Sequence, residues 1–91
     1  GIRILLVSGR EDTARNKTLG WLANNNIPFD ELTMRAAGDY RKDTIVKREM
    51  YKDRILDKYE VLFVLDDRDQ VVEMWRTKLK LPCFQVEYGS F

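Results

Sequence analysis

Two nearly continuous apolar stretches constrain the fold more than any other feature of the sequence. One covers Ile2–Val7 and the other Glu60–Leu65, and polar residues follow each of them at once. Strands buried on both faces of a parallel sheet have this pattern, because neither face can carry polar side chains. The chain is therefore predicted to form an α/β, Rossmann-like fold with a mostly parallel sheet.

Segments with helical periodicity separate the apolar stretches. We predict helices over 14–24, 42–58 and 69–80, a weaker strand over 29–34 and a short last strand over 83–86. Asp12 or Thr13 is suited to cap the first helix, which offers Leu19, Trp21 and Leu22 to the sheet. Regular alternation of strands and helices implies right-handed crossovers, as in three-layer α/β folds.

Length and charge limit the classes of function. Ninety-one residues, 44% of them apolar, are enough for one domain with one core. Sixteen basic side chains nearly cancel fifteen acidic ones, so the net charge is +1. A dedicated nucleic-acid binder usually has a clear basic excess. Any nucleic-acid contact is therefore expected to be local.

Histidine and cysteine usage narrows the chemistry further. The chain has no histidine, which excludes an imidazole base and most zinc sites. Its one cysteine, Cys83, cannot form a disulfide within the chain, which suits a reducing compartment such as the cytoplasm. No apolar run is long enough to cross a bilayer, so we expect no membrane partner.

Polar residues gather where the predicted strands end. They are Ser8 and Arg10, with Gly9 between them, after the first strand, Arg35 after the second, and Asp66 and Asp67 after the third. Lys47 lies about one turn into the second helix, and Asp43 lies one turn before it. Ligands of open parallel sheets bind at the carboxyl ends of the strands. These residues are therefore expected to meet at one edge of the sheet.

The types of residue at that edge favour phosphoryl transfer. Adjacent carboxylates such as Asp66 and Asp67 suit Mg²⁺, which takes oxygen ligands and keeps several waters. Arginine matches phosphate geometry, and a serine hydroxyl with backbone N–H groups can hold another phosphate oxygen. A lysine can stabilise negative charge that builds in the transition state.

Each of these residues also has an ordinary structural explanation. Asp67 can serve as the N-cap of the third helix, and Lys47 can be a solvated helix lysine. Arg35 and Asp43 can be surface charges, and a Ser-Gly-Arg turn is a common connection. The order of the groups along the sheet edge is what favours a shared function.

Two longer segments resemble a known family. The order of Ser8-Gly9-Arg10, Lys47 and Asp66-Asp67 resembles that of haloacid dehalogenase superfamily phosphatases. The segments 38–47 (GDYRKDTIVK) and 65–76 (LDDRDQVVEMWR) are similar to the 3′-phosphatase domain of polynucleotide kinase-phosphatases, those of phages in particular. The resemblance extends over nearly the whole chain.

The resemblance implies a role for each matching residue. Ser8 and Gly9 would hold a phosphoryl oxygen, and Arg10 and Arg35 would contact the substrate phosphate. Lys47 would neutralise a phosphoaspartate intermediate, with Asp43 orienting it. Asp66 and Asp67 would bind Mg²⁺ directly or through water. The implied substrates are 3′-phosphorylated DNA or RNA ends.

One motif of that superfamily has no match in these residues. Its Asp-x-Asp-Gly-Thr motif supplies the nucleophile from a central strand, between the strands that here end at Ser8 and Asp66. We therefore expect residues 1–91 to be a single haloacid dehalogenase-like domain, incomplete at its amino-terminal side and inactive in isolation. Two alternatives remain: a degenerate binding module, and a split or homo-oligomeric enzyme completed by another segment.

Overall fold

Two separate two-stranded parallel sheets organise the chain in the computed structural model, which describes residues 1–91. Contacts divide the chain into a first unit, Gly1–Arg41, and a second unit, Lys42–Phe91. Each unit holds one of the sheets with helical segments beside it. The predicted α/β class with parallel strands is confirmed, whereas the assignment of residues 1–91 to a single domain stays a prediction.

The first unit is a strand–helix–strand arrangement. Strand β1 (Leu5–Glu11) pairs in parallel with β2 (Glu31–Arg35). Between them a 3₁₀ turn (Asp12–Ala14) leads into helix α1 (Arg15–Asn24). The core of the unit is formed by apolar side chains of the two strands, the 3₁₀ turn, α1 and the α1–β2 connection, namely Leu6, Ala14, Leu19, Leu22, Ile27, Phe29, Leu32 and Met34.

Strand β1 differs from the prediction because it continues through the residues expected to form a turn. Ser8 pairs with Met34, and the next paired residue, Glu11, lies opposite Arg35. Gly9 and Arg10 are therefore extra residues in a bulge. The Arg35 Nε donates a hydrogen bond to the Gly9 carbonyl at 2.7 Å, which holds the bulged strand beside β2.

The start of α1 also differs from the prediction. Neither Asp12 nor Thr13 caps the helix through its side chain. The Asp12 carboxylate instead accepts a hydrogen bond from the Ala37 backbone N–H at 3.2 Å. Leu22 is buried as expected, but Trp21 is 58% exposed, so its assignment to the core was wrong.

The second unit has two longer helical segments around the other sheet. Helix α2 (Asp43–Arg54) comes first, and strand β3 (Val64–Asp66) pairs in parallel with β4 (Cys83–Gln85). Helix α3 (Asp69–Glu73) continues directly into a π turn (Met74–Lys78). The buried residues are Val46, Met50, Tyr51, Ile55, Val71, Val72, Met74, Trp75 and Cys83. None of the helices has both the length and the apolar character of a membrane span.

Strand β3 is shorter than predicted and is not buried on both faces. Leu65 is 60% exposed, and so is its neighbour on β4, Phe84, at 61%. Phe63, just before β3, packs edge-on against Phe84 with ring centroids 5.7 Å apart. The apolar sequence around β3 therefore forms an uncovered apolar face in this unit.

Leu32 on β2 is buried and Leu65 on β3 is exposed, so replacing each by alanine is expected to change stability by different amounts. Leu32→Ala on β2 removes a buried side chain and is expected to lower the free energy of unfolding by about 2–5 kcal/mol. Leu65→Ala on β3 is expected to change it by no more than about 0.5 kcal/mol, because that side chain is largely solvated. Denaturant unfolding followed by circular dichroism measures both. An equal loss in the two variants would contradict the exposed face of β3.

Candidate functional site

The second unit brings three of the predicted site residues into one charged cluster. The first turns of α2 place Asp43 and Lys47 on the same helix face, four residues apart. The Lys47 Nζ lies 3.4 Å from Asp43 Oδ2 and 3.3 Å from Oδ2 of Asp66, the last residue of β3. Their side chains are only 8–13% exposed. Lys47 is therefore a nearly buried ion-pair partner and not a solvated helix lysine.

Asp66 is the most strongly held carboxylate of the cluster. Besides Lys47, its Oδ2 accepts a hydrogen bond from Trp75 Nε1 at 3.0 Å, and its Oδ1 accepts one from the Asp67 backbone N–H at 2.8 Å. Burial raises the pKa of Asp66, but the Trp75 hydrogen bond, the Lys47 charge and the Asp67 N–H together outweigh it. The pKa lies below its ordinary value, so the group is ionised at neutral pH.

Asp67 extends the cluster towards solvent. The N-cap position of α3 is Arg68, without a side-chain cap, so Asp67 does not cap the helix. Its carboxylate is exposed and forms no hydrogen bond or ion pair. Arg68 adds a second cation near Asp43, with Nη1 3.8 Å from Asp43 Oδ2.

The carboxylates at the end of β3 fit a Mg²⁺ site that water and substrate complete. No group of three or more His, Cys, Asp or Glu side chains is arranged to hold a metal ion. Mg²⁺, however, is usually held by one or two carboxylates together with waters and substrate phosphate. Asp66 and Asp67 offer two adjacent carboxylates of this kind, one fixed by its neighbours and one open to solvent.

Asp69, two residues after Asp67, is committed to a different contact. Its Oδ1 accepts hydrogen bonds from Gln85 Nε2 at 2.6 Å and from the Gly89 backbone N–H at 3.0 Å. Both hydrogen bonds lower the pKa of Asp69, and the one from Gly89 has the larger effect. Asp69 therefore fastens the end of the chain to the start of α3.

The first unit holds the predicted phosphate-binding residues at the end of β1. The Ser8 Oγ accepts a hydrogen bond from the Arg10 backbone N–H at 3.1 Å, across the bulge. The Arg10 side chain is exposed. Ser8 and Arg10 line an open groove of about 350 Å³ whose other walls are Leu6, Val7, Thr18, Trp21, Leu22 and Leu32. A cation and a hydroxyl thus share one concave surface.

Arg35, which was predicted to contact phosphate, binds backbone carbonyl groups of its own unit. Besides the Gly9 carbonyl, its guanidinium donates to the backbone carbonyls of Asp39 at 3.0 Å and of Arg41. It therefore ties the bulge of β1 to the loop after β2. This guanidinium therefore fixes the backbone at Gly9, one of the predicted phosphate-binding residues.

Trp75 is the site contact that sequence reasoning missed. It lies in the predicted helix over 69–80 and is only 1% exposed. Its indole could have indicated a polar contact, because a buried indole N–H needs a hydrogen-bond acceptor. Asp66 provides that acceptor.

The loop after β2 provides a pH-dependent prediction. Asp39 accepts hydrogen bonds from the Arg41 side chain at 2.8 and 2.9 Å and from its backbone N–H, and these lower its pKa from 3.8 to about 2. Because the pKa of Asp39 is lower in the folded state, its ionised form stabilises the fold at pH values above 3.8. This contribution is lost as the pH falls towards 2. Carboxyl-detected NMR titration should show Arg41→Met raising the pKa of Asp39 towards 3.8. Arg48→Met, at an exposed position on α2, should leave it unchanged, and an equal shift in both variants would contradict the pairing.

Comparison with known proteins adds a family to this geometry. Residues 1–91 match the family described as the polynucleotide kinase PNKP phosphatase domain. The sequence is 36% identical over 80 residues to a protein of Autographa californica nuclear polyhedrosis virus named for polynucleotide kinase and RNA ligase activities. That match covers 87% of this chain and 11% of the viral protein.

Solved structures give a closer likeness. A chain in the structure of the Pnkp1/Rnl/Hen1 RNA repair complex is 53% identical with a TM-score of 0.95, and the match covers 98% of this chain and 29% of that one. A second structure of the Pnkp1/Rnl/Hen1 complex matches with the same identity and TM-score over 31% of its chain. The chain thus spans under a third of the solved chains and about a tenth of the viral protein. The match over residues 1–91 shows that the chain belongs to the family of polynucleotide kinase phosphatase domains.

Proposed function

We propose that this chain is the carboxyl-terminal part of a Mg²⁺-dependent phosphatase domain that removes phosphate from the 3′ ends of DNA or RNA. The observation that carries the proposal is the Asp43–Lys47–Asp66 cluster, with Asp67 beside it at the end of β3. Family membership supports the phosphatase activity. The solved relatives belong to an RNA repair complex, which supports nucleic-acid ends as substrates.

Lys47 is proposed to stabilise the negative charge of the reacting phosphoryl group. Its ammonium carries three N–H donors, and Asp43 and Asp66 each lie within 3.4 Å of it. The two carboxylates hold the ammonium in place before substrate binds. A positioned cation of this kind stabilises charge in the transition state without reorganising during the reaction.

Asp66 and Asp67 are the residues proposed to hold Mg²⁺. A bound Mg²⁺ would polarise a phosphoryl oxygen and neutralise part of its charge. Asp66 is ionised at neutral pH and fixed by three donors, and Asp67 has a solvated carboxylate with no other contact. One carboxylate is thus oriented in advance, and the other is free to adjust.

Ser8, Gly9, Arg10 and Arg35 are the proposed phosphate contacts of the first unit. Arg10 is the most available of the cations, since its side chain is exposed beside the Ser8 hydroxyl. The Gly9 position has no side chain that would keep a phosphate away from the backbone. Arg35 fixes this backbone through Gly9 and the loop after β2, and its charge adds to the local field.

The nucleophile is proposed to come from a segment outside these 91 residues. An aspartate carboxylate would attack phosphorus and displace the 3′ oxygen, and water would then cleave the acyl-phosphate to release inorganic phosphate. The carboxylates of the second-unit site have other roles, because Asp43 and Asp66 are paired with Lys47, Asp67 is assigned to the metal, and Asp69 accepts a hydrogen bond from Gln85. We therefore expect the 91-residue chain alone to release no phosphate.

Phosphate release tests this proposal. The natural polypeptide that carries these residues is incubated with Mg²⁺ and oligonucleotides of DNA and RNA, phosphorylated at the 3′ or the 5′ end. We expect release from the 3′-phosphorylated strands only, and its loss in Asp66→Asn. Lys47→Met is expected to slow release about 100- to 1000-fold, because a positioned charge is removed.

A matched control separates chemistry from folding. Asp57→Asn changes an exposed carboxylate outside the cluster and should leave phosphate release unchanged. Release that survives Asp66→Asn would overturn the assigned site. Tight binding of 3′-phosphorylated strands without release would instead identify a degenerate binding module.

A second candidate is an enzyme completed by another chain. The observation that favours it is the isolation of the two sheets, since β1 pairs only with β2 and β3 only with β4. Unpaired strand edges readily accept another strand. Analytical ultracentrifugation of the 91-residue chain would show a concentration-dependent dimer if a second copy supplies that strand, whereas a monomer at all concentrations would contradict it.

A further inference from the structure

Trp75 is buried at the point where three elements of the second unit meet. It lies in the π turn after α3 and is 1% exposed. Its indole Nε1 donates to Oδ2 of Asp66 on β3, and its ring packs edge-on against Tyr51 of α2, with centroids 6.2 Å apart. Tyr51 lies one turn after Lys47 on the same helix face. The indole therefore fixes Asp66 and also contacts the helix that carries Lys47.

Trp75 and Lys47 bind the same carboxylate oxygen in different ways. The Lys47 Nζ lies 3.3 Å from Asp66 Oδ2 and carries a positive charge, which opposes a divalent cation on the same carboxylate. The Trp75 Nε1 lies 3.0 Å from that oxygen and is neutral. The indole can therefore orient the carboxylate without repelling a metal.

We propose that Trp75 is a positioning residue that keeps Asp66 oriented for a divalent cation while Lys47 turns to the substrate phosphate. This inference rests on the proposed metal role of Asp66. Lys47 is shared between Asp43 and Asp66, so a phosphate can draw it away from Asp66. The hydrogen bond from Trp75 does not depend on Lys47, so the carboxylate keeps its orientation when the ammonium moves.

A role in packing alone makes a different prediction. If Trp75 only filled the core, its replacement would lower stability, and metal affinity would follow stability in every variant. If it positions Asp66, loss of the N–H weakens metal binding at unchanged packing. Removal of the Lys47 charge should have the opposite effect, because it takes away a positive charge that repels a metal ion at Asp66.

Titration of the 91-residue chain with Mn²⁺ alone, followed by electron paramagnetic resonance of the free ion, measures the affinity. Trp75→Phe is expected to weaken binding about 10- to 100-fold, the usual effect of losing a group that orients a metal ligand. Replacement of Trp75 by benzothienylalanine, with sulfur in place of N–H, keeps the ring size and should weaken binding to the same degree. Lys47→Met should tighten binding.

Trp21→Phe is the matched control, since Trp21 is 58% exposed and belongs to the first unit. It should bind Mn²⁺ like the unmodified chain. Equal affinity in the benzothienylalanine variant and the unmodified chain would overturn the proposal. An unmodified chain that binds no Mn²⁺ would also overturn it. Phosphate release by the natural polypeptide then decides separately whether the phosphatase function stands.

Discussion

The ionised carboxylate of Asp66 is the group on which the arrangement of the second unit depends. A buried charge without partners destabilises a fold by several kcal/mol, whereas a paired and hydrogen-bonded one is tolerated. Asp66 obtains its partners from α2 through Lys47, from the π turn through Trp75, and from its own chain through the Asp67 N–H. These three segments must therefore lie close together whenever Asp66 is ionised. The same requirement brings the candidate catalytic lysine to the end of β3.

The π turn has a clear place in this arrangement. A π turn contains more residues than an α-helical turn, so it changes which side chains face the core, and such turns are often found at functional sites. Here it begins at Met74, directly after α3, and carries Trp75 to Asp66. The backbone irregularity and the polar contact occur at the same residue. A regular helix over 69–80, as periodicity predicts, would not have indicated this contact.

The sequence predicted the order of the elements and the chemical types of the site residues better than their geometry. The helix over 42–58 and the strand ending near Asp66 are seen as α2 and β3, because hydrophobic periodicity is a strong local signal. The continuation of β1 through Ser8, Gly9 and Arg10 was missed, since it depends on a hydrogen bond from the distant Arg35. Likewise, Asp12 was expected to cap α1 but accepts from Ala37 instead. Local patterns carry no information on such long-range partners.

The sharing of Lys47 between Asp43 and Asp66 has a consequence for which residues this position tolerates. An ammonium is compact, so it can lie between two carboxylates and still keep a donor for a third oxygen. A guanidinium is planar and tends to bind a single carboxylate through two parallel hydrogen bonds. Arginine at this position would therefore keep the charge but bind one of the two carboxylates, and the other would lose its contact with residue 47. The site thus selects for the shape of the cation as well as for its charge.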